Sequence, residues 1–134
     1  MKVFLDSNIP MYVAGRAHPN REPARRILER VRSGEVEGCT STEVLQEILY
    51  RYSALERRDL ARDVYDLFAQ ICPTVFDVTL ADTDRARDLL VEHVGLSARD
   101  AVHVAVMANR GVECIATFNR GFDGVPGIQR VPLT

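Results

Sequence analysis

Short β-rich apolar runs alternate with amphipathic helical patterns along nearly the whole chain, and this alternation limits the fold more than any other feature. Lys2–Leu5 is the first such run, closed at once by the strand-ending residues Asp6, Ser7 and Asn8. The stretch Met1 to Val13 reads as a first strand, because Asp6, Asn8 and Pro10 interrupt it and no cleavage pattern follows. A helix is predicted over Asn20 to Ser33, with Ile27, Leu28 and Val31 on one face and Gly34 as its stop. Val36–Cys39 is a second strand. Thr40, Ser41 and Thr42 then supply cap residues for a helix whose stripe is Val44, Leu45, Ile48, Leu49 and Tyr52. Leu55–Cys72 is a further helix, packing Leu60, Val64, Leu67, Phe68 and Ile71 and stopped by Pro73. Thr74–Thr79 reads as a third strand.

Asp82–Val94 is predicted helical, with Ala86, Leu89, Leu90 and His93 turned inward and Asp82 and Asp84 favoured by the helix dipole. Ser97 opens a helix that runs to about Arg110, with a small apolar face of Ala101, Val104, Ala105 and Ala108. Glu113–Thr117 is a fourth strand, and Ile128–Val131 an edge strand beyond a glycine-rich turn. Strands alternating with helices predict an α/β fold with a mainly parallel sheet flanked by helices. No internal repeat or linker divides the 134 residues, so they read as a single domain.

A parallel sheet gathers ligands outside the carboxyl ends of its strands. Asp6 lies just after the first strand. Glu47 sits one to two turns into the helix after the second. Asp100 is in the first turn of the helix before the fourth strand, and Asn119 and Asp123 follow that strand. Like charges at ~4 Å repel by about 1 kcal/mol in water and by several times that near a protein surface. A carboxylate cluster therefore calls for a cation. Oxygen donors without clustered Cys or His point to Mg²⁺ or Mn²⁺, and a phosphodiester is a natural substrate for such a site.

Each residue also has a plainer role open to it. Asp6 can simply end a strand. Ser97 and Asp100 fit a helix-capping pattern, as do Thr40 and Glu43. Glu47 can pair with Arg51 one turn on. His103 reads as a packed or hydrogen-bonded residue, and Asp123 as a turn residue.

Four segments together resemble the PIN-domain ribonucleases, and within them the VapC-type toxins of toxin–antitoxin pairs. They are FLDSNI at Phe4–Ile9, STEVLQEIL around Glu47, LSARDAVHVAVMANRG at Leu96–Gly111 and IATFNRGFDGVPGIQRV at Ile115–Val131. The resemblance implies a Rossmann-like sheet, an acidic Mg²⁺ pocket and metal-dependent cleavage of RNA. Asp6, Glu47 and Asp100 match the three family acids. The fourth position, often Asp, is Asn119 here, which keeps an oxygen but not the charge; Asp123 could make up that charge. Ser7 and Thr117 match small hydroxyl positions that orient a carboxylate, and Asn8 lies close enough to support them. A small antitoxin and a homodimer are the partners so implied. Apolar positions on the Leu55–Cys72 helix give the dimer mild support.

Three other readings compete. A phospho-signalling receiver needs a lysine late in the chain, and Lys2 is the only one. A non-catalytic PIN-like interaction module is consistent with Asn119. A housekeeping RNA-processing nuclease would use the same acids.

Cys39, Cys72 and Cys114 are odd in number and sit among apolar residues, which suits buried free thiols in a reducing cytoplasmic setting. No apolar run is long enough to span a membrane. The net charge of −2 hides a basic start: residues 1–34 carry +4 and the remainder −6. The arginine-rich first helix is a candidate phosphate surface, or merely a solvated face. Strong non-specific RNA binding is not expected, and local arginine contacts around a metal-centred site are.

Overall fold

The computed structural model describes residues 1–134. Five strands form one sheet in the order β3-β2-β1-β4-β5, with every neighbouring pair parallel. They are β1 (Lys2–Leu5), β2 (Glu37–Ser41), β3 (Thr74–Phe76), β4 (Cys114–Ala116) and β5 (Gln129–Arg130). Six helices flank the sheet: α1 (Asn8–Ala14), α2 (Arg21–Arg32), α3 (Thr42–Ala54), α4 (Arg58–Ile71), α5 (Leu80–Glu92) and α6 (Ala98–Asn109). This is the α/β Rossmann-like architecture that the alternating pattern predicts.

The central strand is the most deeply buried. Val3, Phe4 and Leu5 of β1 are wholly enclosed between β2 and β4. Burying side chains of this kind is worth roughly 1.5–3 kcal/mol each. The helices pack in pairs, α1 with α2, α3 with α4 and α5 with α6, and α3 also meets α6. Near the start of β2, Gly38 lets α2 come close: a Cβ there would lie 2.6 Å from Val31 Cγ1.

Several boundaries depart from the sequence reading. The stretch Met1 to Val13 is strand only to Leu5, and Asn8–Ala14 is helical. Pro10 is compatible with this because the first-turn N–H groups of a helix have no partner within it. The fourth helix begins at Arg58 instead of Leu55. Leu55 closes α3, and Glu56 adopts the left-handed backbone (φ 57°) that turns the chain. The third strand stops at Phe76, since Val78 N donates to Thr42 Oγ1 and Thr79 then caps α5. Leu49, Leu67 and Leu90 are exposed instead of packed.

Asp82 does more than complement a dipole. It completes a reciprocal capping box with Thr79 and is only 1% exposed. Arg110 donates to both its oxygens, at 2.8 and 3.0 Å, and Asn109 Nδ2 donates to Oδ1 at 2.8 Å. Burial alone would raise the Asp82 carboxyl, but the Arg110, Thr79 and Asn109 bonds outweigh it and hold it well below the usual carboxylate range. The three cysteines are free thiols. Burial pushes Cys39 up to about 11 and Cys72 up to about 12, so both stay protonated and unreactive at neutral pH.

Candidate active site

Strands β2 and β3 lie on one side of β1, and β4 and β5 on the other, so the strand order reverses between β1 and β4. That reversal opens a crevice beyond the carboxyl ends of the two strands. Asp6 stands at its floor. Its backbone N–H extends the sheet by donating to Ala116 O at 3.1 Å.

The Asp6 carboxylate is only 4% exposed and tightly held. Oδ1 accepts from Ser7 N at 2.7 Å, and Oδ2 accepts from Thr117 Oγ1 at 2.7 Å. Asn8 Nδ2 donates to Thr117 Oγ1 at 3.0 Å and reaches Asp6 Oδ2 at 3.4 Å. Ser7, Asn8 and Thr117 thus form a rigid frame around one carboxylate.

Glu47 comes from α3, on the turn that faces α6. It pairs with neither Arg51 nor any residue of its own helix. Oε2 lies 3.4 Å from Arg99 Nη1, and Oε1 lies 3.4 Å from His103 Nε2. Arg99 also reaches Glu43 at 3.7 Å and lies over the Tyr50 ring, 5.4 Å from its centroid. Glu43, assigned by sequence to a capping box, is therefore joined to the edge of the cleft; Ser41 caps α3 without a side-chain bond.

His103 is fully buried against Phe4, with ring centroids 5.5 Å apart. Its Nε2 faces two carboxylates, Glu47 Oε1 at 3.4 Å and Asp6 Oδ1 at 3.7 Å, and so carries the proton, while Nδ1 has no partner. The expectation of a hydrogen-bonded His103 holds, but the residue lies inside the site. The sequence signal was its place three residues after Asp100, on the same helix face. Arg99 had no comparable signal.

Asp100 caps nothing with its side chain. Ser97 Oγ accepts from Asp100 N at 3.1 Å, and the reciprocal half of the capping box is missing. The carboxylate instead accepts from Asn119 Nδ2 at 2.9 Å through Oδ2. Oδ1 is uncommitted.

Two ligand roles expected from the sequence change. Asn119 Oδ1 accepts from Gly121 N at 2.9 Å and so caps the short 3₁₀ turn Arg120–Phe122. The amide therefore shows Asp100 a donor, and its oxygen is not turned to the acids. Asp123 is held by Arg130, with bonds of 2.6 and 3.1 Å, and supplies no free charge to the cleft.

The electrostatics reflect the crowding of three acids. Burial, then the Asp6 charge, raises the Asp100 carboxyl above its ordinary value. For Glu47, burial is outweighed by the His103 bond and charge, the Ser7 hydroxyl and Arg99, and the balance lies below the ordinary value. Burial would lower His103, but the Glu47 bond and the charges of Asp6, Glu47 and Asp100 leave it raised. One ligand atom from each of Asp6, Glu47 and His103 lies within 4.8 Å of the others. Two carboxylate oxygens this close, framed, largely dry and flanked by the His103 nitrogen, are suited to a hard divalent cation. With a phosphate in the cleft, the chemistry that arrangement allows is hydrolysis.

The comparisons agree with that geometry. The PIN domain family model matches residues 3–128. The chain is 43% identical over 129 residues to Ribonuclease VapC13 of Mycobacterium tuberculosis, covering 96% of this chain and 98% of the relative. Among solved structures, VapBC2 from Rickettsia felis, bound to a DNA fragment from its promoter, superposes with a TM-score of 0.76 at 18% identity, covering 98% of both chains. VapC20 of Mycobacterium tuberculosis, a sarcin-ricin loop cleaving toxin, gives a TM-score of 0.76 at 20% identity, over 94% of this chain and 98% of that one.

Proposed function

The chain belongs to the PIN domain family, and on that footing we propose that it is a metal-dependent endoribonuclease, the toxin of a toxin–antitoxin pair. The observation that carries the reading is that ligand atoms of Asp6, Glu47 and His103 lie within 4.8 Å of one another at the crevice between β1 and β4, with Asp100 close enough to feel the Asp6 and Glu47 charges.

Asp6, Glu47 and Asp100 are the residues that would hold the cation, with Mg²⁺ favoured and Mn²⁺ an alternative. Such an ion supplies Lewis acidity that offsets charge on the phosphate and makes water nucleophilic near neutral pH. The chain's own residues do the rest. Ser7 N and Thr117 Oγ1 fix the Asp6 carboxylate in one orientation, so that little reorganisation accompanies the reaction. His103 holds a proton at Nε2 between Asp6 and Glu47 and limits their mutual repulsion. Asp100 Oδ1, the oxygen not bonded to Asn119, is the one left to face a cation, and a carboxylate not bound to the ion would take the proton of the attacking water. Arginines at the rim hold the RNA backbone.

The protein partners in this reading are an antitoxin and a second copy of the chain. Leu55, Leu67, Leu90 and Val91 are exposed apolar residues that such partners would cover. No helix is long and apolar enough to cross a membrane.

The test uses protein freed of any bound partner. Total RNA is incubated with it in Mg²⁺, in Mn²⁺ and in EDTA, beside the Asp6→Asn variant. Cleavage is expected only for the parent chain with a divalent ion. Equal cleavage by Asp6→Asn would overturn the assignment.

A further inference from the structure

Beside the acids lies a cavity of about 460 Å³ whose lining includes Asn8, Tyr12, Arg16, His18 and Arg51. It is large enough for a single nucleotide. Asn8 belongs to both places: it lines the cavity, and its Nδ2 bonds Thr117 Oγ1 and Asp6 Oδ2. Whatever fills the cavity therefore sits next to the carboxylates.

The lining differs sharply in charge from the site it adjoins. It contains two arginines and a histidine and no Asp or Glu. Arginines elsewhere are commonly answered by an acid: on α2, Arg25 pairs with Glu22 and Arg32 with Glu29, and Arg30 pairs with Glu35 just beyond. Arg16 and Arg51 have no acidic partner, and both are exposed. Arg21 and Arg26 of α2 are likewise exposed and unpaired, but Arg16 and Arg51 are the arginines that line this cavity.

An aromatic group completes the cavity. The His18 ring lies against Tyr12, with centroids 4.7 Å apart, and Tyr12 is braced edge-on by Phe118 at 5.1 Å. Asn20 N donates to His18 Nδ1 at 3.0 Å and fixes the orientation of the imidazole. His18 is exposed while Tyr12 is half-buried, so His18 offers the accessible surface and Tyr12 supports it from behind.

We propose that this cavity seats one nucleotide of single-stranded RNA adjoining the cleaved bond, its base stacked on His18 over Tyr12 and its phosphate held by Arg16 and Arg51. The proposal rests on the ribonuclease reading above and adds to it the place where the strand is gripped. Single-stranded RNA is commonly read by stacking bases on aromatic side chains and holding phosphates with arginine. An acidic protein segment would use the arginines but would have no need of the ring stack.

The test is binding of a fluorescein-labelled single-stranded RNA decamer to the full chain, followed by anisotropy in EDTA, where cleavage is off. Arg16→Ala/Arg51→Ala is expected to weaken binding about tenfold or more. It should also flatten the plot of log affinity against log salt by ~0.7, the slope for the one phosphate no longer neutralised. His18→Ala should weaken binding about fivefold with the salt slope unchanged, and His18→Phe should restore it, because a ring is what stacking requires. Parental affinity and slope in the double variant would overturn the proposal, whatever that variant does to assembly with a protein partner. So would equal losses in His18→Ala and His18→Phe. Cleavage of the same decamer sequence by the parent chain in Mg²⁺ is scored separately. Cleavage with unaltered binding in the variants removes this proposal and leaves the ribonuclease reading standing.

Discussion

Asn119 presents a donor to Asp100: its Nδ2 lies 2.9 Å from Asp100 Oδ2 while its Oδ1 is occupied by Gly121 N. The amide thus bonds a carboxylate that burial and Asp6 already disfavour as an anion. Asn119→Asp keeps an oxygen for Gly121 and replaces the donor with a fourth charge. Metal-free protein should then lose about 1 kcal/mol or somewhat more from the added repulsion. A divalent ion should recover that loss, so the rise in Tm on adding Mg²⁺ should be larger in the variant than in the parent. An equal rise in both would show that position 119 has no part in cation binding.

His103 is the one basic group between Asp6 and Glu47. His103→Ala removes both the proton and the packing against Phe4, leaving the buried Asp6 without a counter-charge and Glu47 with Arg99 alone. A loss of about 3–5 kcal/mol is expected, the range for breaking a buried ion pair. Urea unfolding in EDTA measures it. Because a cation would meet the same two oxygens, Mg²⁺ should stabilise this variant more than the parent. Failure of Mg²⁺ to do so would count against Asp6 and Glu47 as a shared cation site.

Asp82 and Arg110 join the start of α5 to the end of α6. Asp82→Asn should cost about 2–4 kcal/mol, since Arg110 is left without its charged, two-oxygen acceptor in a nearly dry setting. The pH dependence has a definite sign. A carboxyl held below its ordinary value of 3.8 adds stability that is fully present above that value. That stability is lost as pH falls toward the depressed folded value. Urea midpoints between pH 5 and pH 2 should therefore fall more steeply for the parent than for Asp82→Asn. Parallel curves would mean that the pair does not govern acid unfolding.

Gly38 is packed beneath Val31, and an added Cβ would come within 2.6 and 2.9 Å of its two methyl groups. Val31 is β-branched and cannot swing away cheaply. Gly38→Ala should destabilise by about 1–3 kcal/mol through overpacking. Adding Val31→Ala should relieve part of that cost, so a double-mutant cycle should show coupling of opposite sign to the single losses. Additive losses would place the strain elsewhere.

The fold was legible wherever an element carries its own pattern. Lys2–Leu5 is a short apolar run ended by polar residues, and α2 is amphipathic throughout, so both emerged close to their true limits. The stretch α1 has only seven residues, a proline and no cap bond, and nothing local distinguishes it from an extended chain. The positions of Asp6, Glu47 and Asp100 followed from strand ends and from the family likeness. The state of their neighbours did not, because it depends on distant partners. Arg110 lies 28 residues from Asp82, Arg99 lies 52 from Glu47, and the direction of the Asn119 amide is set by a backbone N–H two residues on. Spacing along the chain carries no trace of such choices.

The bond between Thr117 and Asp6 spans 111 positions of sequence, which has a bearing on synthesis. A growing chain that has released its first hundred residues holds all three acids yet lacks the strand and hydroxyl that orient the first of them. Assembly of the cleft waits until β4 slots in beside β1, so a chain released short of β4 lacks both the neighbouring strand and the hydroxyl that fix the Asp6 carboxylate.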